Sequence, residues 1–300
     1  KMRVWFLKRT NSICTESSVG SNTTVWSREG KIYRITPRQN DATNDTWMTD
    51  SGRGLFKETE SENRISDYTI DGVNQDMEIV AQTAADLLQQ GKVALVGSAN
   101  SSVEEQFYHK KISEYASAST NIIAKTGDGD GILLSEDRTP NLRGALLNRL
   151  ITELPYTAAD SIDSQIQSGA IQTLFVVNED LTRLGISQES LAKVSIIYFG
   201  SLANQTSKVA KVVIPTLTVF EKSGSFVNQN FILQQFLPAI PGPKGVISDV
   251  LMLAKIVEKM TGDTTEPVTL TMVWQELSNT LAEFKSITWQ KIGDEQGIQI

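Results

Sequence analysis

A chain of 300 residues, 40% hydrophobic and 21% charged, is long enough to bury a sizeable core and suggests one to three domains. Its formal net charge of −7 excludes the overall basic footprint that would gather nucleic acid or anionic lipid. One cysteine excludes internal disulfides and fits a reducing compartment, and apolar runs of about six residues fall far short of the ~20 that a membrane span needs.

No signal peptide is evident, and the opening "KMRVWFLKR", with lysine before methionine, reads as a stretch cut from a longer polypeptide. Residues 1–65 are rich in β-branched and aromatic residues broken by turn signals. "TTVWS", "REG" and "KIYRITP" predict a hairpin around Glu29 and Gly30, with Tyr33 and Ile35 on one face where Trp26 joins them. "RQNDATNDTWMTDSGRG" is a polar, turn-forming loop, and the Asp/Asn-rich residues 61–76 mark a domain boundary.

Beyond it the texture changes. Residues 77–90 place Ile79, Val80, Ala84, Leu87 and Leu88 at helical spacing, and "VEEQFYHKKISEYA" does the same with Val103, Phe107, Ile112 and Tyr115. "KVALVGSA", "TLFVV", "VSIIYFG" and "KVVIP" are continuous apolar runs, as in strands of a parallel sheet covered on both faces. Residues 249–260 and 270–284 predict amphipathic helices, the second through Leu270, Trp274, Leu277, Leu281 and Phe284. The expected fold class is therefore α/β: a small β-rich domain at 1–65, then a parallel-sheet domain at 77–300.

Few residues promise chemistry. His109, in "QFYHKK", reads as a helix-surface histidine beside two lysines in preference to a general base or metal ligand. No serine or cysteine sits in a nucleophile elbow, and one histidine with one cysteine cannot close a tetrahedral metal site. "VALVGSANSS" resembles the first strand and turn of a nucleotide-binding unit but lacks its glycine fingerprint. The acidic loop "KTGDGDGILLSEDR" offers Asp-x-Asp donors of the calcium type without a closing glutamate, and reads as structural. "PGPKG" at 241–245 is a rigid turn.

The stretch "SICTESSVGSN" is more specific. Cys14, Ser17 and Ser21 stand where C-x-x-C-x-x-x-C would bring three thiolates onto one 4Fe–4S cluster, and Thr49, before "DSGR", stands where a fourth would come. Hydroxyls are hard, high-pKa donors and hold iron–sulfur poorly.

From "VWFLKRTNSIC" to "TWMTDSGR", with Asn22, Gly30, Arg34, Pro37, Arg38, Trp47, Asp50, Gly52 and Arg53 in matching places, the chain resembles one family. It is that of the large peripheral-arm subunits of respiratory complex I, the NADH:quinone oxidoreductase (called the 75-kDa subunit in mitochondria), which descend from molybdopterin oxidoreductases. The resemblance returns in "DGILLSEDRTPNLRGA" and again in "VAKVVIPTLTVFEKSGSFVNQNFILQQF", through Pro215, Glu221, Gly224, Asn228 and Gln234. Three segments in the family's order cover about residues 3–260. The departures are Ser17, Ser21 and Thr49 at ligand positions, "NFI" in place of a family Glu-Gly-Arg, and a shortened α/β part.

The resemblance implies a degenerate iron–sulfur domain followed by a shortened doubly wound domain. Its function would be a structural, cofactor-free part of an electron-transfer subunit, with no catalytic residue and no metal at Cys14, Ser17, Ser21 or Thr49. Iron–sulfur clusters would lie in upstream domains with their own cysteine-rich motifs. Partners would be those domains and other peripheral-arm subunits, without nucleic acid or membrane insertion, on the cytoplasmic side of the cell membrane. A molybdopterin-dependent, formate dehydrogenase-like enzyme and a nucleotide- or cation-binding module are the alternatives.

Overall fold

The hairpin expected at Glu29 and Gly30 forms. In the computed structural model, which describes residues 3–154, 161–263, 267–294 and 297–300, β1 (Lys8–Ile13), β2 (Asn22–Arg28) and β3 (Lys31–Pro37) make an antiparallel sheet in that order. Glu29 and Gly30 take φ of 52° and 75°, the primed-turn geometry that suits the twist of the two strands. A register shift between Trp26 and Ser27, opposite Arg34 and Ile32, leaves Tyr33 as the extra residue of a bulge. Ile32 and Ile35 therefore turn inward with Val25, while Tyr33 is 39% exposed. The expectation that Tyr33, Ile35 and Trp26 share a face is corrected: the inserted residue turns Tyr33 outward, and Trp26, opposite Arg34, lies on the face away from Ile35.

Seven strands form the main sheet: β4 (Thr69–Ile70), β5 (Val73–Asn74), β6 (Val93–Ser98), β7 (Ser119–Ile123), β8 (Thr173–Val177), β9 (Ser195–Gly200) and β10 (Val212–Pro215). Their order is β5-β4-β10-β9-β8-β6-β7, parallel from β10 to β7, with the β4–β5 hairpin antiparallel at the edge. The parallel part is a doubly wound arrangement whose order reverses between β6 and β8. Alternate residues explain the unbroken apolar runs. Val93, Leu95, Phe175, Val177, Ile197 and Phe199 bury toward one face; Ala94, Val96, Leu174, Val176, Ile196 and Tyr198 bury toward the other.

The first face is covered by α1 (Met77–Gln89) and α2 (Val103–Tyr115), the second by α4 (Ile162–Gln167) and α5 (Gln188–Leu191); α3 (Leu142–Leu147) and α6 (Gln205–Lys208) are short connections. Further along, α7 (Asp249–Thr261) and α8 (Leu270–Thr280) pack outside α1 and α2, and α9 (Trp289–Asp294) follows. Val80, Ala84, Leu87 and Leu88 are buried as expected, whereas Ile79 and Tyr115 are 52% and 57% exposed. The helix expected to reach 284 stops at Thr280, and a 3-10 turn, Ala282–Phe284, brings Phe284 back against Trp274.

A third sheet, β11 (Gly224–Val227), β12 (Ile232–Phe236) and β13 (Ile298–Gln299), connects the parts. Ile13, Val25, Ile32 and Ile35 of the first sheet share a core with Phe226 and Phe236 of the third. The Leu237 amide also donates to the Asn11 carbonyl at 3.1 Å. The amino-terminal sheet is thus seated on the carboxyl-terminal hairpin.

Candidate functional site

The loop from Cys14 to Ser21 leaves β1 and returns as β2, closed by the Cys14 amide donating to the Ser21 carbonyl at 2.9 Å. Cys14, Ser17 and Ser21 are buried, and Thr49 is half-buried. Cys14 and Thr49 meet beneath Gly52: a Cβ there would lie 2.8 Å from both Cys14 Sγ and Thr49 Oγ1. Thr49 Oγ1 accepts from the Gly52 amide at 3.1 Å and donates to the Glu16 carboxylate. Ser17 turns elsewhere, accepting from the Ser135 amide at 3.4 Å. The hydroxyls of Ser17 and Thr49 thus bond loop amides and Glu16, not one another.

Burial pushes the Cys14 thiol up to about 11, against a hydrogen bond from the Glu16 amide that lowers it and with a smaller rise from the Glu16 carboxylate. A 4Fe–4S cluster needs several thiolates converging. A single thiol beside three hydroxyls, of which those of Ser17 and Thr49 are engaged by protein atoms, does not fit it. Among the described residues no group of three or more His, Cys, Asp or Glu is placed to hold a metal ion.

The residues that anchor this loop come from far along the chain. Asn228 Nδ2 donates to the Val19 carbonyl at 3.2 Å, Gln234 Nε2 to the Gly20 carbonyl at 3.1 Å, and the Gln229 amide to the Ser18 carbonyl at 2.7 Å. Asn228 Oδ1 also accepts from the amides of Asn230 and Ile232, so a single side chain shapes the β11–β12 turn and grips the loop. Asn141 acts likewise: its Nδ2 donates to the Ser101 carbonyl and its Oδ1 accepts from the Val227 amide. Arg64 donates to Glu221 at 2.6 Å in a pair with little solvent access, which ties the segment after the first domain to the segment after β10.

A cavity of about 390 Å³, lined in part by Glu16, Glu58, Asn100, Lys125 and Asn178, lies between this loop and the carboxyl ends of the strands. Burial raises Glu58 to about 7, partly offset by the nearby Arg64. The crevice at an order reversal is where a doubly wound sheet holds ligands. Here, however, Ser98 Oγ donates to Glu179 at 2.5 Å across the reversal. The first amides of α2 face a capping box between Ser102 and Glu105. Glu104 and Glu105 occupy the first turn fully buried, so a phosphate arriving there meets carboxylates instead of free donors. Buried carboxylates at this turn do not fit a pterin nucleotide's phosphates.

A buried charge network fills the space behind. Lys222 Nζ lies 2.6 Å from both Glu105 and Asp249, with all three side chains at most 9% exposed. Burial alone would lower the Lys222 ammonium, but the two carboxylates outweigh it and hold it above its ordinary value. Burial pushes the Asp249 and Glu104 carboxyls up; Glu104 accepts from Ser225 and, at 2.7 Å, from Trp274 Nε1. Sequence reasoning missed this network, and its one legible sign was the Ser-x-x-Glu at Ser102–Glu105.

His109 is corrected from surface to core. It is fully buried, edge-on against the stacked rings of Phe175 and Phe199 with centroids 6.2 and 6.5 Å away, and among the described residues neither nitrogen has a hydrogen-bond partner. The Gly/Asp loop is exposed and closed on itself: Asp130 Oδ1 accepts from the amides of residues 132–134, and Thr126 bridges Asp137. Asp137 pairs with Arg143 at 2.5 Å, which engages it as a structural acid.

Residues 7–56 match the family model described as NADH-ubiquinone oxidoreductase NDSU1/NuoG-like, 4Fe-4S domain, and residues 57–259 that of molybdopterin oxidoreductases. The G subunit of the NADH-quinone oxidoreductase of Yersinia pestis is 33% identical over 110 residues, 35% of this chain and 12% of that protein. The corresponding protein of Rickettsia prowazekii (strain Madrid E) is 45% identical over 56 residues, 19% of this chain and 8% of that protein. The mitochondrial NADH dehydrogenase [ubiquinone] iron-sulfur protein 1 of Solanum tuberosum is 36% identical over 74 residues, 25% of this chain and 10% of that protein. The matched stretches thus span about a tenth of these relatives' own length. No described helix is long and apolar enough to cross a membrane.

Proposed function

The chain belongs to the molybdopterin oxidoreductase family, and on that premise we propose that it is a structural, cofactor-free part of the large peripheral-arm subunit of an NADH:quinone oxidoreductase. It would support electron transfer from NADH to quinone by iron–sulfur clusters located elsewhere, at the cytoplasmic face of the membrane. Residues 1–65 would be the former cluster domain and 77–300 the shortened doubly wound domain. Cys14, Ser17, Ser21 and Thr49 are read as former ligand positions, with no catalytic residue among the rest. The partners would be upstream cluster domains and other subunits of the same enzyme.

One observation carries this reading: Cys14 Sγ lies beside a Thr49 hydroxyl already bonded to Glu16 and Gly52. The ring is closed by protein atoms. Iron, acid-labile sulfide and molybdenum analysis of the purified chain tests it, with sub-stoichiometric values of all three expected. Stoichiometric iron with sulfide, or stoichiometric molybdenum, would refute it. In the assembled enzyme Cys14→Ala is expected to leave NADH:quinone activity unchanged, and a large loss would count equally against the proposal.

A further inference from the structure

The outer face of the amino-terminal sheet differs in charge from everything else. Residues 1–38 hold eight Lys or Arg against two Glu; with the whole chain at −7, the remaining 262 residues sum to −13. On the sheet this excess is arrayed in register. Arg9 pairs opposite Trp26, and Trp26 opposite Arg34. The two guanidinium carbons stand 5.2 and 4.7 Å from the indole centroid. Two residues along β2, Arg28 stands over the Phe6 ring at 5.4 Å. Val4, Trp5 and Phe6 are 44%, 69% and 53% exposed, three consecutive apolar side chains in a place where isolated ones would mean little.

Among the described residues, Arg9 and Arg34 have no carboxylate within ion-pair distance, although acidic side chains outnumber basic ones over the whole chain. The indole is fixed at its edge, its Nε1 donating to Thr36 Oγ1 at 2.9 Å. A fixed ring holds both guanidinium groups in place, and with no carboxylate paired to them among the described residues each can make a two-pronged carboxylate contact. We propose that this face docks an acidic protein surface, which presents carboxylates to Arg9 and Arg34 and an apolar side chain to Trp5 and Phe6. Arg and Trp at the centre, with solvated charges around them, are the composition of a protein–protein anchor. A bilayer is disfavoured because Trp26 lies pinned under two arginines and is not free to insert. A nucleic acid would meet the −13 of the body behind the sheet. The face lies across the sheet from the core shared with β11 and β12, so its partner does not depend on what the Cys14 loop holds.

The test measures binding of the full chain to a dye-labelled peptide of repeating Asp-Glu-Leu, to phosphatidylcholine/phosphatidylserine vesicles and to duplex DNA, across a salt series. The peptide is expected to bind best, more weakly as salt rises, and to lose about tenfold in affinity with Arg9→Ser/Arg34→Ser. Lys208→Ser/Lys285→Ser, which removes the same charge elsewhere, is expected to bind like the parent. If the serine variant fails a thermal-unfolding check, Arg9→Lys/Arg34→Lys replaces it, keeping the charge but losing the fork, with a fall of about threefold expected. No peptide binding, equal binding by the arginine variants, or tighter binding of vesicles or DNA overturns the proposal.

Discussion

Gly52→Ala tests directly whether Cys14 and Thr49 close on the Gly52 backbone. The new methyl would lie 2.8 Å from Cys14 Sγ and 2.8 Å from Thr49 Oγ1, and 3.3 Å from the Met48 methyl. Real Cβ atoms do not approach that closely, and neither neighbour is the loose end of a long side chain. Cys14 is buried, and Thr49 is held by Glu16 and the Gly52 amide. Overpacking of this kind costs about 1–3 kcal/mol. Cys14→Ala alone removes one buried sulfur and should cost about 1 kcal/mol. The double variant relieves one of the two clashes, so the penalties should fall short of additivity by about 0.5–2 kcal/mol. Urea unfolding of the four proteins reads this as shifts in midpoint at constant m-value. A neutral Gly52→Ala, or strict additivity with Cys14→Ala, would refute the closed-ring geometry.

The remaining predictions concern buried charge. Glu58, raised to about 7 in the fold from 4.5, keeps its proton after the unfolded chain has lost its own. Stability therefore falls as pH rises from 4.5 to 7; relative to that profile, Glu58→Gln should gain up to roughly 3 kcal/mol at pH 8 and nothing at pH 4, by denaturant titration. His109, lowered by burial to about 4 from 6.5 with Glu105 and Lys222 as its charged neighbours, runs the other way. The unfolded chain takes up the proton first, so stability is lost as pH falls from 6.5 to 4. His109→Leu should remove up to roughly 3 kcal/mol of that loss, and an unchanged acid limb would contradict the buried placement. Lys222→Met leaves Glu105 and Asp249 buried without their cation and should cost about 3–5 kcal/mol at pH 8, less at pH 5 where Asp249, raised to about 7 by burial, holds a proton.

Much of the fold was legible because burial on both faces writes itself as unbroken apolar runs: "VALVGS", "TLFVV" and "SIIYFG" sit in the sheet where they were expected. What periodicity could not show was α2. Glu104, Glu105, Gln106, His109 and Ser113 look like a solvated face, yet all are buried, because the helix is packed between the sheet, α7 and β11. Their compensation is non-local: Trp274 and Ser225 reach Glu104, and Lys222 reaches Glu105, from more than a hundred residues away. No window along the chain contains both partners. Tyr33 failed for a different reason, since one bulge residue inverts a period-two pattern that holds on either side of it.

The candidate site divides along the same line. The positions proposed as former ligands, Cys14, Ser17, Ser21 and Thr49, come from spacing alone. What holds the loop was not legible there. Asn228 and Gln234 stood out only as matching positions; in the structure they take up the carbonyls of Val19 and Gly20, while Gln229 takes that of Ser18. Buried carbonyls must find donors somewhere, and a cluster offers a carbonyl none. A loop whose backbone is satisfied by a distant hairpin has no need of metal to keep its path, so on this reading its ligands were free to become hydroxyls while its spacing was not free to drift. Asn228→Ala should therefore loosen residues 17–20, seen as faster amide exchange there, whereas Ser17→Ala, which loses a single 3.4 Å contact, should leave that exchange nearly unchanged.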